Sequence, residues 1–143
     1  MISEFAWHRM LYVSIGLITA VAAILAIVVI PHVIMDKSPS ATPEQAVPAI
    51  SVIVIVHLLI IVALIWTIKV SKRGGQKKAL LVIAGLVLIV LSLLILDGAF
   101  AYIDLPGMHG TGISMLICVG CDFVAGLLAL IAWYFRKRRS LSK

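Results

Sequence analysis

Four apolar runs, roughly Met10 to Met35, Ala49 to Ile68, Ala79 to Ile103 and Ile113 to Phe135, take up most of this 143-residue chain. At about 1.5 Å per helical residue, each is long enough to cross roughly 30 Å of hydrocarbon. Backbone N–H and C=O groups find no water at that depth, so each run has to pair them within itself, which a helix does. With 63% hydrophobic and only 13% charged residues, the chain has too little polar surface to coat a water-soluble globule of its size. These features predict an all-α membrane protein, a single four-helix up-down bundle. Its connections would be an outer loop over 36–48, a cytoplasmic turn over 69–78, an outer turn over 104–112 and a basic tail over 136–143.

Charge gives the expected orientation. Four crossings bring both termini to one side, and eleven of the twelve Lys and Arg fall there: Arg9, five between Lys69 and Lys78, and five from Arg136 to Lys143. Lys37 alone lies opposite. Positive residues concentrate in cytoplasmic loops, which predicts that both termini are cytoplasmic, in the plasma (inner) membrane of a prokaryote. The net charge of +6 then faces anionic lipid head groups, each juxtamembrane cation contributing about 1 kcal/mol of attraction. Nucleic acid is not needed to explain it. The first run lacks a small-x-small cleavage site in polar surroundings and is expected to be retained. Trp7, Tyr12, Trp66, Trp133 and Tyr134 gather at the cytoplasmic ends and Tyr102 at an outer end, as interfacial anchors do.

The connections are short, which favours neighbouring antiparallel helices. Gly74-Gly75 sits among basic residues as a tight turn, while Pro106-Gly107 and Gly110-Thr111-Gly112 read as helix breakers. Thr42-Pro43-Glu44 reads as a helix start, and Pro31 is expected to kink or end the first helix near Ile27 to Ile30. Small residues mark the faces on which membrane helices approach closely. Ser114, Cys118, Cys121, Asp122, Ala125, Ala129 and Ala132 form one such stripe, and Gly16, Ala20 and Ala23 stand in the same relation in the first run. The third run sets Gly85 and Ser92 along a surface of Leu, Ile and Val, so it is expected to be the most lipid-exposed or to dock on another subunit.

Ionisable residues within the membrane are costly and are the first functional suspects. Asp122 lies about nine residues into the fourth run from outside and His57 about eight into the second, so both sit roughly 12 to 14 Å deep. An imidazole from a neighbouring helix is a suitable partner for a buried carboxyl. The pair is expected to be a structural interhelical bond, with a proton-linked or ligand-orienting role as the alternative. His57 is also a candidate axial ligand for haem b, although His8, His32 and His109 all lie at other depths, so such a haem would have to be shared with a partner. At the outer surface His32, Asp36, Asp97, Asp104 and His109 include residue types that bind a divalent or copper ion, and the i, i+4 spacing of His32 and Asp36 puts both on one helical face.

Cys118-Val119-Gly120-Cys121 is a C-x-x-C motif in the last run. Four spans, this motif and a basic C-terminus are similar to the membrane thiol oxidoreductases of the vitamin K epoxide reductase type. That resemblance implies quinone reduction by Cys118 and Cys121, and the chain departs from the family in having no cysteine in the first outer loop to relay electrons. Read as residues alone, the two cysteines are small members of the packing stripe. Small multidrug transporters have a similar span count, but their essential acid lies in the first span, where this chain has none; proton-coupled transport would rest on Asp122. No phosphate-binding loop, H-E-x-x-H or G-x-S-x-G occurs. The expected function is that of a non-catalytic accessory subunit of a larger membrane complex, respiratory or otherwise energy-converting, with no cofactor assigned to the chain itself.

Overall fold

In a computed structural model, which describes residues 4–35, 43–72, 79–105 and 107–142, the chain is an all-helical bundle. Helix α1 (Glu4–Ile24) passes through a π-helical turn (Leu25–Val29) into α2 (Ile30–Met35), and the three make one span. Helices α3 (Pro43–Lys72), α4 (Ala79–Ile103) and α5 (His109–Leu141) supply the other three. All four spans are long and apolar enough to cross a membrane. Neighbours around the ring are α1, α3, α4 and α5, closing again on α1, with the largest interface between α4 and α5. Consecutive spans are therefore adjacent, and α3 faces α5 across the diagonal.

Opposed positions show the antiparallel sense. Ser14 of α1 donates to the carbonyl of Ala125 in α5 at 3.0 Å, and the Arg136 guanidinium lies 4.9 Å from the Trp7 ring centre. The beginning of α1 and the end of α5 thus occupy the same end of the bundle.

The π turn has a local cause. Pro31 has no N–H and its ring crowds the carbonyl four residues earlier, so the regular ladder fails just before it. The N–H of Ile30 reaches back five residues to the carbonyl of Leu25 instead. Helicity continues through Pro31 to Met35, so the proline re-registers the span rather than ending it.

Glycine explains the α4–α5 interface. A Cβ on Gly126 would stand 3.0 Å from the Gly85 carbonyl oxygen, and one on Gly112 would stand 2.8 Å from the Ile103 nitrogen. The two backbones are in contact at both places, an approach that small residues permit. Gly110, Thr111 and Gly112 accordingly lie inside α5 rather than breaking it. The turn between α4 and α5 is correspondingly tighter than 104–112. Gly107 takes φ +81°, a left-handed conformation that glycine adopts without strain, and the Met108 N–H bonds to the Leu105 carbonyl at 3.1 Å. Pro106 lies outside the described residues, as do Asp36, Thr42, Gly74 and Gly75.

Two expectations about helix faces are reversed. Helix α4 buries Leu81, Ala84, Gly85, Leu88, Leu91, Ser92, Ile95 and Ala99, and it is α3 that is least enclosed, with 22% of its span buried against 39% for α4 and α5. Gly16, Ala20 and Ala23 of α1 face outward. The residues α1 turns inward include the large Leu11 and Ile18 beside the small Ser14, and they meet a side of α5 that supplies Ala125 and Ala132. The helix ends also run on: α1 begins before Met10 and α5 continues past Phe135 to Leu141.

Candidate functional site

His57 is central in α3 and Asp122 central in α5, each on the side of its helix that faces the bundle axis. Both side chains are fully enclosed, at 0% exposure. The imidazole Nε2 lies 2.8 Å from Asp122 Oδ2, and Nδ1 lies 2.7 Å from the carbonyl oxygen of Ile53, one turn earlier in α3. A carbonyl oxygen only accepts, so Nδ1 carries a proton and donates it. A single further proton then lies between Nε2 and Oδ2. Whether it resides on nitrogen or on oxygen, the pair has zero net charge, which is the condition for burying it at tolerable cost.

The surroundings of the pair are largely occupied with their own packing. Cys118, one turn before Asp122, is fully buried among apolar side chains, and Cys121 is half-buried. Ser14 spans from α1 to α5, and elsewhere in the bundle Ser51, Thr67 and Ser92 each donate to a carbonyl of their own helix. Among the described residues the exception beside the pair is Asp122 Oδ1, which is buried without a hydrogen-bond partner. Such an atom costs about 1–3 kcal/mol when left unmatched. This arrangement can hold one proton between two side chains enclosed within the bundle.

It does not suit haem. Both ring nitrogens of His57 are committed, one to a carbonyl and one to a carboxyl, so none is left for iron. The outer-face candidates are not brought together either. His32 turns back on its own span, Nδ1 lying 2.7 Å from the Val28 carbonyl oxygen within the π turn. His109 Nδ1 lies 3.3 Å from the Ile103 carbonyl oxygen across the turn between α4 and α5, and Asp104 is exposed in that turn. No group of three His, Cys, Asp or Glu side chains gathers among the described residues, and Asp36 lies outside them. The two cysteines are free thiols on one helix.

Asp97 stands out once the faces are known. It is exposed on α4 in an outward stripe with Ile83, Leu86, Val90, Leu93, Leu94 and Phe100, all of them apolar and more than half exposed. With α4 centred in the bilayer, its Cα lies roughly 6 Å inside the hydrocarbon boundary nearer the α4–α5 turn. Depth alone puts Asp97 with the outer-surface acids. The signal for its real setting is rotational: twelve residues from Gly85 is about 120° around the helix at 100° per residue, away from the close contact with α5.

No protein-family model matches the chain, and searches of curated proteins and of solved structures found no similar protein.

Proposed function

We propose that this chain is an accessory integral-membrane subunit that docks laterally on a larger membrane protein through the outward face of α4, with its basic end at the cytoplasmic surface. Asp97 carries the proposal. A carboxylate facing acyl chains costs about 2.5–3.5 kcal/mol at a helix centre and less toward the ends, so such residues are ordinarily turned into the protein or paired. Here it interrupts an otherwise apolar stripe and has no partner among the described residues. A neighbouring membrane helix presenting Lys, Arg or an amide at that depth removes the cost and covers the stripe. His57 and Asp122, by contrast, are bonded to each other and contribute to assembling the bundle.

The decisive experiment is mild-detergent extraction from native membranes followed by native electrophoresis, with respiratory assemblies assayed first. The wild-type chain and Asp97→Glu are expected to migrate at a stoichiometric complex, while Asp97→Leu migrates alone with its helicity unchanged. Retention of Asp97→Leu in the same complex at full stoichiometry would sink the proposal.

A second reading, proton-coupled transport by Asp122, is supported by the unpartnered Oδ1 beside a proton-sharing imidazole. Its test is flux driven by a pH gradient in vesicles, which must vanish in Asp122→Asn.

A further inference from the structure

The last turns of α5 carry a feature independent of Asp97 and of the buried pair. Trp133, Tyr134, Lys137, Arg138 and Leu141, all on α5, border an open hollow of about 520 Å³ at the basic end of the bundle, here called the groove. Their spacing places them on one face of the helix. The opposite side of the same turns is spent inward, with Ala132 fully buried and Arg136 set over Trp7 of α1. We propose that this groove is a discrete site for the phosphate of an anionic phospholipid head group.

Three observations commit the groove to a lipid. Its charge is positive, from Lys137 and Arg138, and the arginine fork matches the oxygens of a phosphate in a way a point charge does not. The Lys137 ammonium is held 5.1 Å from the centre of the Trp133 ring, which sets it at the rim of an aromatic wall. The layering also fits: the Trp133–Tyr134 turn lies about 6 Å closer to the membrane interior than the Lys137–Arg138 turn, so rings at the glycerol level leave the cations at the phosphates. The α5 span runs from His109 to Arg138, which brings these cations to its very end, where the bilayer presents head groups.

A site differs from diffuse attraction between a basic protein surface and an anionic leaflet in being saturable and specific to residues. The full chain, purified and placed in phosphatidylcholine nanodiscs with increasing phosphatidylglycerol, is to be examined by native mass spectrometry for retained lipid. One phosphatidylglycerol per chain is expected. Its apparent affinity should fall about tenfold in Lys137→Ala/Arg138→Ala and severalfold in Trp133→Leu, while Arg9→Ala/Lys69→Ala, an equal loss of charge at the same end, leaves it unchanged. Equal loss in both double variants overturns the proposal, as does retention of no phosphatidylglycerol. Displacement of the lipid by equimolar inorganic phosphate also overturns it, since the acyl-bearing head group would then not be the ligand. So does protection of Lys137 from acetylation by a protein from the native membrane but not by phosphatidylglycerol, because the groove would then be a protein contact.

Discussion

Asp122 and His57 connect two helices that face each other across the bundle, so removing either one strands its partner in an apolar interior. Interhelical hydrogen bonds of this kind contribute about 0.6 to 2 kcal/mol in membrane proteins, and His57→Leu or Asp122→Leu should each lower stability by that order in reversible unfolding in micelles. The double variant should lose less than the two singles added together, since it leaves no orphan. Asp122→Asn should lose least of the three, because with Nδ1 donating to Ile53 the carboxamide N–H₂ can donate to Nε2. A maleimide should modify the folded protein at Cys121 well before Cys118, and both should react once the bundle is denatured; equal rates in the folded state would contradict the enclosure of Cys118. The meeting of His57 and Asp122 was legible in the sequence, because residue count along a span gives depth at a fixed rise. Depth says nothing of azimuth. That is why the outer Asp and His residues looked like one cluster when His32 turns onto its own helix and Asp97 points away from the bundle.

At the level of the helices, glycine is where sequence and structure part most clearly, since its meaning depends on what stands opposite. Gly110 and Gly112 look like breakers beside Pro106, yet a helix in close contact with another uses the missing Cβ, and Gly112 lies against the backbone of Ile103. Gly112→Ala should therefore cost about 1–3 kcal/mol through overpacking, read as a lower unfolding midpoint in micelles. Gly16 has open space around it, and Gly16→Ala should be neutral or slightly stabilising, within the roughly 1 kcal/mol that helix propensity allows. If Gly16→Ala proved the more damaging of the two, the assignment of α1's outward face would be wrong. The small-residue rule identified the α5 stripe correctly and misassigned α1 for a physical reason: close packing needs small residues on one side only, and opposite Ala125 and Ala132 the first span sets Leu11 and Ile18 as well as Ser14. Pro31, in contrast, could be read locally, because its effect is confined to the carbonyls one turn earlier.

For the molecule as a whole, span count follows from hydropathy alone, whereas sidedness rests on the distribution of Lys and Arg. A cysteine introduced at Leu141 in a cysteine-free background should react with an impermeant maleimide only after the cytoplasmic face is opened, and labelling of intact cells would invert the proposed orientation. The least enclosed helix, α3, is expected to exchange its backbone amides faster than α4 and α5 in detergent. The length of α5 has one more implication. Its 33 residues make a rod of about 50 Å, longer than the 40–45 Å of a bilayer with its polar layers. Upright, it must protrude into water; leaning by roughly 30°, it fits, a tilt above the average of about 20° but inside the usual range of roughly 0–40°. Upright, the final turns of α5 would stand clear of the head groups, within reach of a soluble protease; leaning, they would be shielded among them.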